Sequence, residues 1–223
     1  MTLLHIETST KNCSVAFSRN GEILCLCEEY DEQYGHSEKL HQFINWALEG
    51  AEIELKDLDG VCVSKGPGSF TGLRIGVSAA KGFCYGLEIP LLSLNSLEIL
   101  AQTQINQNYD LIISMIDARR MEVYTAIFDG KGNQISEIEA KILDENSFME
   151  FVDKKVVFVG DGVKKSKSVL QLPKADFLEN IHPSAQNMMD SAERKFNNKE
   201  FEDVAYFEPF YLKEFQAGKK KLS

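Results

Sequence analysis

One corner of the chain limits the folds open to it. Val61, Cys62 and Val63 read as a strand, which runs into Gly66-Pro67-Gly68 and then straight into a helix. Gly66 and Gly68 allow backbone angles closed to other residues, and Pro67 fixes one φ between them. Ser69 or Thr71 is placed to cap the first free N–H groups of the helix. Such a corner belongs to α/β architectures, where it offers amides to an anion or brings a helix close to a neighbour. Spacing excludes two phosphate signatures. Gly72 is followed by Leu73 and Arg74 where a P-loop needs Lys-Ser/Thr, and Gly66, Gly68 and Gly72 leave one residue too many for a dinucleotide fingerprint. Within the helix, Gly72, Gly76 and Ala80 recur every four residues, so one stripe is almost bare of side chains. Each glycine in a helix interior costs about 1 kcal/mol against alanine. Two of them imply a packing reason, either a tight crossing with another subunit's helix or a close contact within the same subunit.

The 223 residues suffice for one large domain or two small ones, and a hydrophobic fraction of 43% fits folded cores. No run approaches the ~18 apolar residues of a membrane helix. His5 and Glu7 interrupt the short apolar start, so neither a signal peptide nor a membrane association is expected. Five cysteines (Cys13, Cys25, Cys27, Cys62, Cys84) without a Cys-x-x-Cys pair fit reduced thiols and a cytoplasmic location. A net charge of −10 argues against independent binding of nucleic acid, which draws its affinity from neutralising phosphates. The dense basic cluster Lys219-Lys220-Lys221 lies at the extreme end and reads as a solvated tail.

The order of elements predicts a duplication. Residues 3–8, 13–18 and 22–29 read as three antiparallel strands, with Asn20-Gly21 closing a hairpin. Leu40, Phe43, Ile44, Ala47 and Leu48 carry helical spacing over 37–50. Strands follow at 57–64 and 90–94, and Asn95 to Glu98 has the form of a capping box with Leu94 and Ile99 as a staple. A polar break over 102–110 divides the chain into lobes 1–102 and 103–223. The second lobe opens with strands again, at 111–116, 122–128 and 135–142. A short helix over 145–152, a strand at 156–159, Gly160-Asp161-Gly162 and a helix from Ser184 complete it. This helix puts Met188, Met189, Ala192 and Phe196 on one side. Three strands and a helix, repeated, give the two-lobed actin-like, sugar-kinase-like α/β fold.

The residues then resemble a specific family. Ile6-Glu-Thr-Ser9, His36-Ser-Glu38 and Gly66-Pro-Gly-Ser-Phe-Thr-Gly-Leu-Arg-Ile-Gly76 are similar to segments of the bacterial TsaB (YeaZ) family. So are Ser96-Leu-Glu98, Asp117-Ala-Arg119 with Glu122-Val-Tyr124, Gly160-Asp-Gly162 and Pro209-Phe-Tyr-Leu-Lys213. The resemblance implies a partner protein in forming N6-threonylcarbamoyladenosine at position 37 of tRNAs that read ANN codons. It implies a TsaD-like transferase subunit and a TsaE-like ATPase subunit as partners, with ATP and metal on them and none held by this chain. It also implies a homodimer when alone, pairing through helices of the first lobe, and tRNA reached only indirectly.

The residues themselves carry little chemistry. Glu7, Thr8 and Ser9, with Gly160 and Gly162, could mimic the phosphate loops of the kinase-like superfamily. The first turn, however, offers Lys11 and Asn12 where a carboxylate is needed to place a metal. His36 and His41 are turned by roughly 140° on their helix, so they do not share an ion. His5 and His182 lie far off in sequence, which removes a zinc-protease reading. No Gly-x-Ser-x-Gly elbow occurs. Asp117 and Arg119 either pair across their turn or face a partner. What survives is association. Leu40, Phe43, Ile44 and Ala47 with Gly72, Leu73, Gly76, Val77, Ala80 and Phe83 form the expected helical interface, so Gly76→Leu should abolish pairing and spare the fold. The primary reading is a non-catalytic partner of the transferase. The alternative is an ATP-dependent small-molecule kinase with a degenerate loop.

Overall fold

Asn20 and Gly21 close the first hairpin in left-handed conformations, φ 50° and 82°, which suit these two residue types. In this computed structural model, which describes residues 1–31 and 35–213, the hairpin joins β2 (Asn12–Arg19) to β3 (Glu22–Tyr30). With β1 (Thr2–Glu7) they form an antiparallel meander. On the other side of β1, β4 (Gly60–Gly66) and β5 (Leu91–Asn95) add in parallel, giving the order β3-β2-β1-β4-β5. The second sheet consists of β6 (Leu111–Asp117), β7 (Glu122–Asp129), β8 (Glu139–Ile142), β9 (Val156–Val159) and β10 (Ala175–Leu178). Its order is β8-β7-β6-β9-β10, with the same senses strand for strand. This duplication is the two-lobed actin-like α/β architecture that the element order predicts.

Alternation along the strands decides what covers each sheet. Leu4, Ile6, Val15 and Phe17 point to one face and meet α1 (His36–Ala51) and α2 (Phe70–Leu87) through Leu40, Phe43, Ile44, Ala47, Val77 and Ala80. Leu3, Ala16, Cys62, Leu92 and Leu94 point to the other. There they meet Ile99 of α3 (Ser96–Gln102) and Ala192 of α5 (Met189–Asn197). Helix α3 serves both lobes, because Leu97, Leu100 and Ala101 pack on Ile112, Ile116, Ala126 and Phe128 of the second sheet. The remaining face of that sheet buries Ile113, Met115, Val123 and Phe158 with Val163, the first residue of α4 (Val163–Ser166).

Several local expectations give way to tertiary context. Asn95 does cap α3, its Oδ1 accepting the Leu97 N–H at 2.8 Å. The capping box does not close, because Glu98 accepts from the Ser191 hydroxyl at 2.8 Å and faces Arg194 of α5. The strand expected at 135–142 is reduced to β8, with one isolated bridge between Phe128 and Gln134. The helix expected at 145–152 is a single 3₁₀ turn, Met149–Phe151. Phe148 just before it is left-handed, φ 65°, with its ring buried against Phe158. The helix from 184 begins as a 3₁₀ turn, Ala185–Met188. Met188 and Ala192 reach the core, while Met189 stays half-buried.

The division at residue 102 falls between the sheets, but the expected second lobe, 103–223, does not stay together. Residues 185–196 cover the first sheet, and Val204 and Phe207 join the α1/α2 core. The cluster Lys219 to Lys221 lies outside the described residues.

Candidate partner interface and the closed first loop

Glu7, Thr8 and Ser9 end β1 at the place where a nucleotide-binding relative would present its first phosphate loop. All three side chains are fully buried. The Ser9 N–H donates to Glu7 Oε1 at 2.5 Å, the Thr8 hydroxyl donates to the Gly72 carbonyl at 2.8 Å, and the Ser69 N–H donates to the Ser9 carbonyl at 2.6 Å. The glycine corner lies directly on this loop. A Cβ at Gly68 would collide with the Ser9 carbonyl oxygen, and one at Gly72 with that of Thr8. Burial lifts the Glu7 carboxyl from 4.5 to about 7, and hydrogen bonds from Ser9 and Ser64 pull it only partly back. The second candidate loop is packed as tightly. Gly160 and Gly162 are buried, and a Cβ at Gly160 would meet the Met115 carbonyl oxygen. These five candidates therefore serve internal packing and present no open surface to a phosphate.

The same contacts correct the expected interface. Gly72, Gly76 and Ala80 do form a bare stripe, but it faces β1. A Cβ at Gly76 would strike Thr8 Oγ1 and approach Ile6 Cγ2 at 3.5 Å. Leu40, Phe43, Ile44, Ala47, Leu73, Val77 and Ala80 are all buried within the chain's own core. The stripe is the close contact inside one subunit, and Gly76→Leu attacks the fold. Of the expected interface residues only Phe83 reaches the surface region, half-buried, its ring centroid 6.2 Å from that of exposed His41.

Other flanks of the same helices are open. Trp46 on α1 is 49% exposed, stacked on Phe43 with centroids 5.7 Å apart, and Tyr85 on α2 is 83% exposed. Beside Tyr85 on α2 runs a second stripe of small residues, Ser78, Gly82 and Gly86, about 120° around the helix from the first. Among the described residues, a Cβ at Gly82 or Gly86 would meet nothing within 4 Å. The spacing of four was legible in the sequence, but only burial tells the covered stripe from the open one. Ser69 is the cap of α2, accepting the Gly72 N–H at 3.3 Å, so Thr71 is not.

The histidines stay apart. His36 Nε2 bonds the Thr10 carbonyl at 2.7 Å, and His5 Nε2 bonds the Ser18 hydroxyl at 2.7 Å inside the sheet. No group of three or more His, Cys, Asp or Glu side chains is placed to hold a cation among the described residues.

Fold and loop together define a class: a duplicated, two-lobed actin-like protein whose first loop is sealed by its own glycine corner. Comparison with known proteins narrows it. The family model of TsaD, tRNA N6-adenosine threonylcarbamoyltransferase, matches residues 31–220. The tRNA threonylcarbamoyladenosine biosynthesis protein TsaB of Bacillus subtilis is 31% identical over 99% of this chain and 97% of its own length. The Escherichia coli TsaB is 30% identical over 99% and 98%. YeaZ of Pseudomonas aeruginosa superposes with a TM-score of 0.84 at 26% identity, over 95% of this chain and 99% of that one. The chain belongs to the TsaB (YeaZ) family.

Proposed function

We propose that this protein is a non-catalytic partner of a TsaD-like transferase, required to form N6-threonylcarbamoyladenosine at position 37 of tRNAs reading ANN codons. The observation that carries the reading is the open face of α2. Gly82 and Gly86 lie in a helix interior where glycine costs about 1 kcal/mol each against alanine. Among the described residues nothing lies within 4 Å of a Cβ at either to explain them. With exposed Tyr85 beside them, the face suits a close helix–helix approach by another protein. The TsaD-like subunit docks there, and in its absence a second copy of this chain occupies the same face. Binding favours the transferase's working conformation, and its free energy bounds the activation. A TsaE-like ATPase joins the complex, and ATP and metal reside on these partners in the cytoplasm.

The sealed loop supports the absence of a nucleotide of its own, and the names of the relatives favour this reading over the kinase. Two measurements test it. Reconstituted tRNA modification should fail when this chain alone is omitted. Gly82→Leu, which restores helix propensity by roughly 0.5–1 kcal/mol, should leave the folded monomer intact and abolish pairing in ultracentrifugation. Saturable binding of ATP and magnesium by the isolated chain, with turnover, would return the kinase to first place.

A further inference from the structure

The hairpin between β6 and β7 has a use that the docking face does not explain. Arg119 and Arg120 stand at its tip in consecutive left-handed conformations, φ 69° and 52°, a region that arginine rarely occupies. The sequence left Asp117 and Arg119 to pair or to face a partner. The structure decides against pairing: the Asp117 carboxylate accepts the Arg119 backbone N–H at 2.9 Å and an ion pair from Lys165. Lys165 also donates to the Arg120 carbonyl at 2.8 Å, and Lys213 pairs with Glu122 at the other foot of the hairpin. Lysines thus take the nearby acceptors and fix the tip. Both arginine side chains stay exposed, and no acceptor for either guanidinium is found among the described residues. The other three arginines are engaged, Arg19 with Thr2, Arg74 with Tyr211 and Arg194 with Glu98. Arg119, Arg120, Lys165 and Lys213 set four cations against three carboxylates, those of Asp117, Glu122 and Asp161, the last accepting the Asp117 N–H at 2.8 Å. The excess is local, on a chain of net charge −10.

We infer that Arg119 and Arg120 form a contact for the phosphodiester backbone of RNA, which the assembled complex uses to hold its tRNA directly. A guanidinium binds a phosphate through two parallel N–H bonds. A net-negative protein touches a polyanion only through a local cationic excess. The hairpin also stands clear of the docking face. The stretch from Tyr211 to Lys213 joins Arg74, on the first turns of α2, to Glu122 of the hairpin, whereas Tyr85 lies eleven residues further on, roughly 16 Å along the helix. A partner seated by Tyr85 leaves the tip free for RNA. The inference rests on the transferase-partner reading.

The test measures binding of an end-labelled, unmodified tRNA transcript to the complex of this protein with its TsaD-like partner, across a salt series. Asparagine tolerates left-handed backbone, so Arg119→Asn/Arg120→Asn removes the charge and keeps the turn. This variant should keep its melting temperature and its subunit association. It should bind tRNA on the order of tenfold more weakly, with a salt slope shallower by about 1.4–1.8. Arg119→Lys/Arg120→Lys should keep the slope. An unchanged affinity and slope in the asparagine variant overturns the inference. Weaker subunit association with an unchanged tRNA slope also overturns it and seats the arginines on an acidic protein face. If modification proceeds without this chain, it is the functional reading that fails, independently of these binding results.

Discussion

Glu7 shows how one buried side chain sets a pH response. Its carboxyl sits near 7 against an ordinary 4.5 because burial disfavours the charged form. The native state therefore holds a proton that the unfolded chain releases between those values. The group's destabilising effect is absent below about pH 4.5 and grows as pH rises to 7 and above, to on the order of 3 kcal/mol. Urea midpoints at pH 5 and pH 8 should converge in Glu7→Gln relative to the wild type; an unchanged gap would place the pH response elsewhere. At Gly76 the contact is steric. A methyl group there meets Thr8 Oγ1 on a fully buried strand end. Gly76→Ala should lose about 2 kcal/mol or more and Gly76→Leu should fail to fold, measured by thermal melts of the soluble fraction.

Helix α2 carries two stripes of small residues with opposite duties. The stripe at Gly72, Gly76 and Ala80 lets the helix settle on the end of β1, and the stripe at Ser78, Gly82 and Gly86 stays open. The contrast predicts opposite outcomes for one kind of substitution: Gly76→Leu breaks the fold, whereas Gly82→Leu breaks association alone. Both long helices also end on a left-handed glutamate, Glu52 at φ 54° and Glu88 at φ 55°. Glycine adopts that conformation without the Cβ clash, and removing a carboxylate relieves the negative end of the helix dipole. Glu52→Gly should therefore raise stability by about 0.5–1 kcal/mol, seen as a higher urea midpoint at constant slope. A lower midpoint would mean that unfolded-state entropy outweighs the cap.

The last described stretch ties the molecule together as a strap. Glu202 bridges to Leu91 at the free edge of the first sheet, and its carboxylate takes the Ser93 hydroxyl. Lys81 donates to the carbonyls of Ala205 and Phe207 at 3.1 and 3.0 Å, and the Phe210 N–H donates to the Lys65 carbonyl at 2.7 Å. Tyr211 rests on Phe70 with ring centroids 4.8 Å apart. Truncation after Glu200 should cost about 3–5 kcal/mol by uncovering Val204, Phe207 and the β5 edge. An unchanged melting temperature would show the strap to be dispensable. The sequence by itself determined the first seven strands, β9, the long helices and the duplication, because period-two and period-3.6 patterns and Asn20-Gly21 are local signals, whereas β10 was not read from it and β8 came out shorter than expected. The open face of α2, the sealed loop at Glu7 and the return of residues 185–213 to the first lobe were settled only by tertiary structure. Two glycine stripes with the same four-residue spacing look alike in a sequence. Whether β1 or solvent lies opposite each is fixed by contacts between residues more than sixty positions apart.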